Sequence, residues 1–194
     1  MFQPFSPIFK TPFFVLEEAK CATNSSFAPY YRISGPDSVL ACILDERDRF
    51  VMVKQSRPNL QTETMEMPAG AIEVGETPIQ AVRREIREEV GLTCSLLQLG
   101  KHFSTMMNRT SIKDFLFFGM HPSELPSVVL EDGLSVSFVP RSNLREMALS
   151  GEFIQLGGLG LLSLASSMLS VDIWHDSYQK IESAFSSRLA IEGL

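Results

Sequence analysis

Between Gly70 and Leu92 the chain reads GAIEVGETPIQAVRREIREEVGL, a stretch that gathers Glu76, Arg84, Glu85, Glu88 and Glu89. Glu85, Glu88 and Glu89 stand at i, i+3 and i+4, which on a helix brings three carboxylates to one stripe. Like charges so placed destabilise an isolated helix by roughly 0.2–0.5 kcal/mol per pair. A hard divalent cation that takes oxygen ligands offsets that repulsion directly. Such a cation polarises phosphoryl oxygens and templates a water, which is the chemistry needed to cleave a diphosphate. The plainer alternative is a solvated helix laced with salt bridges, because Arg83, Arg84 and Arg87 interleave with the glutamates. The run RREIREE alone favours that alternative. Gly70, Glu76, Gly91, Ile86 and Leu92 in fixed register around it favour the metal site.

The residues that must position these groups are equally legible. Thr77 and Pro78 form an N-cap followed by proline at the first helical position, and Gln80 completes a capping box. Ile79, Val82, Ile86 and Val90 recur at helical spacing and give the helix one apolar face for a core. Gly91 supplies the left-handed stop. Strand patterns lie upstream at Pro12–Glu18, Phe27–Ile33, Ser38–Leu44 and Arg49–Gln55, the last two joined by the turn sequence DERD. Thr62–Ala69 leads into the signature loop. Downstream strands are predicted at Ser95–Phe103, Lys113–Met120 and Leu134–Val139, then helices at Ser142–Ser150, Leu156–Met168 and Ser177–Leu189. This order is that of an α+β layered fold.

The full pattern (Gly70, Glu76, Arg84, Glu85, Ile86, Glu88, Glu89, Gly91 and Leu92) resembles the Nudix hydrolases at every specified position. The resemblance implies an α/β/α sandwich on a mixed sheet, with N-terminal strands and C-terminal helices added. Residues 1–35 would then be a strand segment able to form a dimer, 36–170 the hydrolase domain, and 171–194 a helical extension. It implies Mg²⁺ or Mn²⁺ held by Glu85, Glu88 and Glu89 with the Ala69 carbonyl. Glu76 is expected to brace Arg84, and Arg84 reads equally as a brace or as a catalytic group.

A looser likeness, over about residues 10–165, is to the ADP-sugar pyrophosphatase branch. PYYRISGPDSVLACIL, VKQSRP followed by EMPAG, and EDGLSVSFVPRSNLREMALSGEF carry it. It implies a nucleoside diphosphate sugar as substrate, ADP-ribose first. Other nucleotides (a dinucleoside polyphosphate, NADH or an oxidised nucleoside triphosphate) are the alternative, and a nucleotide-sensing module without activity is a further one. Arg57 is the candidate phosphate clamp, since its planar fork matches phosphate geometry. Glu66 is expected to touch a base or sugar, and Arg109, with Lys113, to recognise the second phosphate or sugar. The chain departs from the branch at Met106-Met107-Asn108, where ADP-ribose enzymes carry a proline. The general base is placed on the loop acids Glu131 and Asp132, with Glu85 as the alternative, because carboxylates bound to a cation are poor proton acceptors.

Bulk properties fit this reading. The chain has 194 residues, 44% hydrophobic and 21% charged, with net charge −6. That size suits one domain, and the acidic balance without a basic block argues against long nucleic acid or an anionic membrane as partner. Cys21, Cys42 and Cys94 have no metal-type spacing and are expected as reduced thiols of a cytoplasmic protein. The run from Leu156 is too short to span a bilayer. Five phenylalanines between Phe2 and Phe14 suit a homodimer interface.

Overall fold

The computed structural model describes residues 2–23 and 28–192. A seven-stranded mixed sheet is the centre of the molecule. Its strands are β4 (Ser38–Leu44), β5 (Arg49–Arg57), β6 (Thr62–Glu66), β7 (Ala69–Ala71), β8 (Leu92–Phe103), β9 (Asp114–Glu124) and β10 (Leu134–Pro140). The order β10-β5-β4-β9-β8 carries β6 on β5 and β7 on β4. The β4–β9 pair is parallel and the others are antiparallel. Three further strands, β1 (Ser6–Lys10), β2 (Val15–Ala19) and β3 (Tyr30–Ser34), form a separate antiparallel sheet.

Alternation along β4 divides the core. Val39, Ala41 and Ile43 pack with Val51 and Val53 against Ala81, Val82, Ile86 and Val90 of helix α1 (Pro78–Val90). Leu40, Cys42 and Leu44 face the other way, with Phe50, Met52 and Phe118. They are covered by helices α2 (Arg141–Ser150), α3 (Leu156–Leu169) and α4 (Tyr178–Glu192), through Leu144, Leu161, Leu162, Ala165, Ile181 and Phe185. A strand buried on both faces reads as a continuous apolar run, as Ser38–Leu44 does. The result is helix, sheet, helix: an α+β sandwich.

Two local departures from the sequence reading have physical causes. The expected single segment Thr62–Ala69 is two strands, because Pro68 has no N–H to donate and the chain changes partner there, from β5 to β4. The Pro68 carbonyl still accepts from Ala41 N–H at 2.9 Å. The N-terminal stretch holds an additional strand, β1, with Pro7 inside it. β1 is the edge of its sheet and its register slips between Pro7 and Phe9, the setting in which a strand tolerates proline. Phe27, the first residue of the second expected strand, lies outside the described residues. Among the described residues no helix is long and apolar enough to cross a membrane.

The small sheet leans on the loop between β8 and β9. Ile33 N–H donates to the Arg109 carbonyl at 2.7 Å, Ser111 N–H to the Ile33 carbonyl at 3.1 Å, and the Tyr30 hydroxyl to the Asn108 carbonyl at 2.6 Å. Every residue of β1 is exposed, and Phe9 and Phe13 keep 60% and 80% of their surface in solvent.

Candidate active site

Helix α1 is built for its position. Gln80 Oε1 accepts from both the N–H and the hydroxyl of Thr77 at 2.8 Å. Gly91 takes φ 70°, and its N–H caps the helix on the Arg87 carbonyl. Burying the apolar stripe on the sheet turns the acidic stripe toward β7 and the signature loop. Glu85 and Glu89 are thereby taken almost wholly out of solvent, while Glu88 stays exposed.

Arg84 ties the loop to the helix. Its Nε and Nη2 donate to the two oxygens of Glu76 at 2.9 and 3.0 Å, and Nη2 also reaches the Ala71 carbonyl at 2.8 Å. Nη1 bridges Glu85 at 2.7 Å and Glu88 at 3.3 Å. The arginine holds the Glu76 carboxyl below its ordinary range, helped by the Glu73 N–H. Glu89 accepts the Ala69 N–H at 3.0 Å, and Gly70 lies directly against the Glu85 carboxylate. Neither contact tolerates a shift of the loop.

Burial dominates the electrostatics of the two inward glutamates. It raises the Glu85 pKa in spite of Arg84. It pushes Glu89 up to about 8, opposed by the Ala69 N–H and reinforced by the charges of Glu85, Glu131 and Glu66. Two adjacent buried carboxyls that resist ionising are a site short of positive charge. Oxygen-only donors of this kind fit a hard divalent cation. Among the described residues no three Asp, Glu, His or Cys side chains converge on one point that could hold a metal. Glu85 and Glu89 would be the buried part of such a donor set, and Glu88 is turned to Arg84.

Beside this pair opens a cavity of about 1040 Å³. It is lined by Arg57, Ala69 and Gly70, by Phe103, Ser104, Thr105 and Asp114, and by Ile154, Gln155, Leu156 and Gly157 where α3 begins. Arg57 points its fork at Glu66, with Nε–Oε1 at 2.8 Å and Nη2–Oε2 at 2.6 Å, and Thr64 donates to Glu66 Oε1 at 2.6 Å. The two residues expected to touch substrate are thus placed together and paired with each other. Burial opposes ionisation of Glu66, yet Arg57 and Thr64 leave its pKa lowered overall.

The acidic loop before β10 also comes to the site. Glu131 N–H donates to the Glu88 carbonyl at 2.9 Å, and its charge is felt by both Glu85 and Glu89. Asp132 is exposed, and its side chain bonds to none of the described residues. Arg109 does not line the cavity: its loop is tied to β3, and among the described residues its guanidinium bonds to the Asn108 carbonyl alone, at 3.1 Å. Lys113 stays with Asp37, whose Oδ1 accepts the Lys113 N–H at 2.9 Å.

Sequence reasoning missed the wall formed by α3. That segment reads simply as a buried helix, which Leu161, Leu162 and Ala165 make it. The signal was its glycines. A Cβ on Gly158 would meet Phe153 Cζ at 2.9 Å and Met67 Sδ at 3.1 Å, so only glycine lets the helix start sit so close.

Comparison with known proteins agrees with this geometry. Residues 35–153 match the sequence model of the NUDIX domain. The 8-oxo-dGDP phosphatase NUDT18 of Mus musculus is 39% identical over 61 residues, 31% of this chain and 19% of its own. The ADP-ribose pyrophosphatase of Bacillus subtilis is 35% identical over 65 residues, 34% of this chain and 35% of its own. That of Mycobacterium tuberculosis is 28% identical over 121 residues, 60% of this chain and 58% of its own. The chain therefore spans only a minor part of the first two relatives. A solved structure of an ADP compounds hydrolase superposes with TM-score 0.72 at 18% identity, covering 88% of this chain and 94% of that one. At that identity the likeness is one of fold.

Proposed function

The chain belongs to the Nudix family, and from that membership we propose that it is a metal-dependent pyrophosphohydrolase of nucleoside diphosphate sugars, releasing a nucleoside monophosphate and a sugar phosphate. The observation that carries this reading is the buried Glu85–Glu89 pair, held against Ala69 and Gly70, which line a cavity large enough for a nucleotide. ADP-ribose is the first substrate to test. An ADP-ribose pyrophosphatase matches 121 residues of the chain, and Arg57 is the one basic residue among those lining the cavity.

Glu85 and Glu89, with Glu88 turned inward and the Ala69 carbonyl, would hold Mg²⁺ or Mn²⁺. When bound, that ion neutralises phosphate charge and lowers the pKa of a water. The chain's own groups do the rest. Arg57, freed from Glu66, orients a phosphate through two parallel hydrogen bonds. Arg84 and Glu76 hold the loop so that Gly70 and Ala69 stay in register with the glutamates. Glu131 accepts the proton of the attacking water from its loop. Two copies would join through β1 and the turn that follows it, where Ile8, Phe9 and Phe13 lie open.

The deciding experiment is phosphate-ester release from a panel comprising ADP-ribose, ADP-glucose, UDP-glucose, NADH, a dinucleoside tetraphosphate and 8-oxo-dGTP, with Mg²⁺ or Mn²⁺. Hydrolysis of a diphosphate sugar in preference to the others is expected. Preference for the tetraphosphate or triphosphate rejects the substrate class, and no turnover of any rejects the enzyme. Light scattering on the eluted protein should give twice 21.6 kDa if the dimer forms.

A further inference from the structure

We propose that Gln155 is a specificity-determining residue, which reads a hydrogen-bond acceptor on the uncharged part of the substrate, its base or its sugar. Gln155 lies beyond the stretch that matches the family, at the N-terminal cap of α3. Its carboxamide orientation is fixed by a backbone group: Oε1 accepts the Met67 N–H at 2.9 Å. Gly158 leaves room for this, since a Cβ there would stand 3.1 Å from Oε1. With Oε1 so committed, Nε2 carries the two free donors. It bonds to none of the described residues, is not buried, and belongs to a residue of the cavity wall. A carboxamide held at one end and open at the other presents donors to whatever fills the cavity.

The surroundings fix the kind of group it meets. Leu40, Leu116, Ile154, Leu156 and Leu164 make this part of the wall apolar. Asp114 is largely engaged within the protein: Oδ1 accepts from the Ser38 hydroxyl at 2.6 Å, and Oδ2 from the Thr105 N–H and hydroxyl at 3.0 and 2.8 Å. A phosphate here would lose hydration without gaining a cation. A neutral ring with an acceptor on its edge loses little and gains the Nε2 bond. Phosphates belong with Arg57, whose planar fork matches them, rather than with a neutral carboxamide.

The proposal rests on the hydrolase reading only for turnover, so it is tested in two arms. Gln155→Glu keeps the acceptor for Met67 and loses the donors; Gln155→Met loses both without adding charge. In the first arm kcat and KM are measured for ADP-ribose, ADP-glucose and UDP-glucose. Both variants should raise KM about tenfold for the preferred substrate with kcat little changed, and should alter the ratio of kcat/KM between substrates at least about fivefold. A merely structural role, or added charge, would move all three substrates together and leave the ratios intact. In the second arm AMP and ribose 5-phosphate are titrated calorimetrically into wild type and variants without metal. Selective loss of AMP affinity assigns the contact to the base, and selective loss of ribose 5-phosphate affinity assigns it to the sugar. Equal affinities in all three proteins, or no binding of either compound to wild type, overturns the proposal. If wild type hydrolyses nothing, the hydrolase reading fails and the binding arm still decides on Gln155.

Discussion

Gly70 stands against the Glu85 carboxylate with no space for a side chain between them: a Cβ on Gly70 would overlap the carboxylate carbon and both oxygens. The glycine of the signature is therefore a packing requirement of one glutamate. Gly70→Ala should drive Glu85 from its place and cut turnover roughly a hundredfold, the scale of misplacing a catalytic group by about 1 Å. The far-ultraviolet circular dichroism of the variant should match wild type. Wild-type kinetics in Gly70→Ala would show that Glu85 need not lie there.

Glu89→Gln should abolish turnover and change how stability depends on pH. The folded pKa of about 8 lies above the ordinary 4.5, so the metal-free folded state holds the proton more tightly than the unfolded chain. The stability that this proton gives is fully present below about pH 4.5 and is lost as pH rises through about 8. Metal-free wild type should thus melt at falling temperatures across that interval, by an amount on the order of a few kcal/mol. Glutamine carries no charge at any pH, so the variant should have a flatter profile and exceed wild type above pH 8. Parallel profiles for the two proteins would show that Glu89 does not titrate in this range.

Arg84→Lys separates bracing from catalysis. Lysine keeps the charge but cannot span both Glu76 oxygens, the Ala71 carbonyl and Glu85 at once. Because those bonds hold loop to helix, the variant should lose about 1–3 kcal/mol of stability along with activity. An unchanged melting temperature with a lowered kcat would make Arg84 a catalytic group instead.

Much of this was legible in the sequence, for physical reasons that differ by residue. Ser38–Leu44 announces itself as a continuous apolar run because both its faces are buried, and Ile79–Val90 through the 3.6-residue period of one buried face. Glu85 and Glu89 were legible as a pair, yet helical spacing alone could not say that Glu88 would turn outward to Arg84. The Arg57–Glu66 pairing joins neighbouring strands and depends on the β5–β6 register, which no local pattern encodes. Gln155 was invisible for the same reason, since its partner Met67 is far away in sequence. Pro7 hid β1, because proline argues against a strand except at an edge, and edges are a property of the assembled sheet.

Chelation should remove activity. Glu85 and Glu89 offer only oxygen, without the sulfur or nitrogen ligands that hold zinc tightly, so EDTA should strip the enzyme and Mg²⁺ or Mn²⁺ should restore it. Binding of Mg²⁺ near pH 7 should also release a proton, since the cation must compete with the one on Glu89. Full activity after exhaustive chelation would remove the metal from the mechanism.

The general base is the assignment on which the loop before β10 depends. Its backbone is docked on α1 by the Glu131 N–H to Glu88 carbonyl bond, which brings the Glu131 charge within reach of Glu85 and Glu89. The side chain itself remains exposed, free to move when substrate arrives. Glutamates that bind a cation are held ionised and accept protons poorly, whereas Glu131 lies outside that set. Asp132 shares the turn, but nothing ties its carboxylate to the site. Glu131→Gln should therefore lower kcat at least about a hundredfold with KM little changed, and should remove the acidic limb of the pH–rate profile. Asp132→Asn should stay within about threefold of wild type, below the usual scale for losing a general base. If Asp132→Asn carries the larger loss, the turn presents its second acid rather than its first; if neither variant slows the reaction, Glu85 on α1 takes the proton.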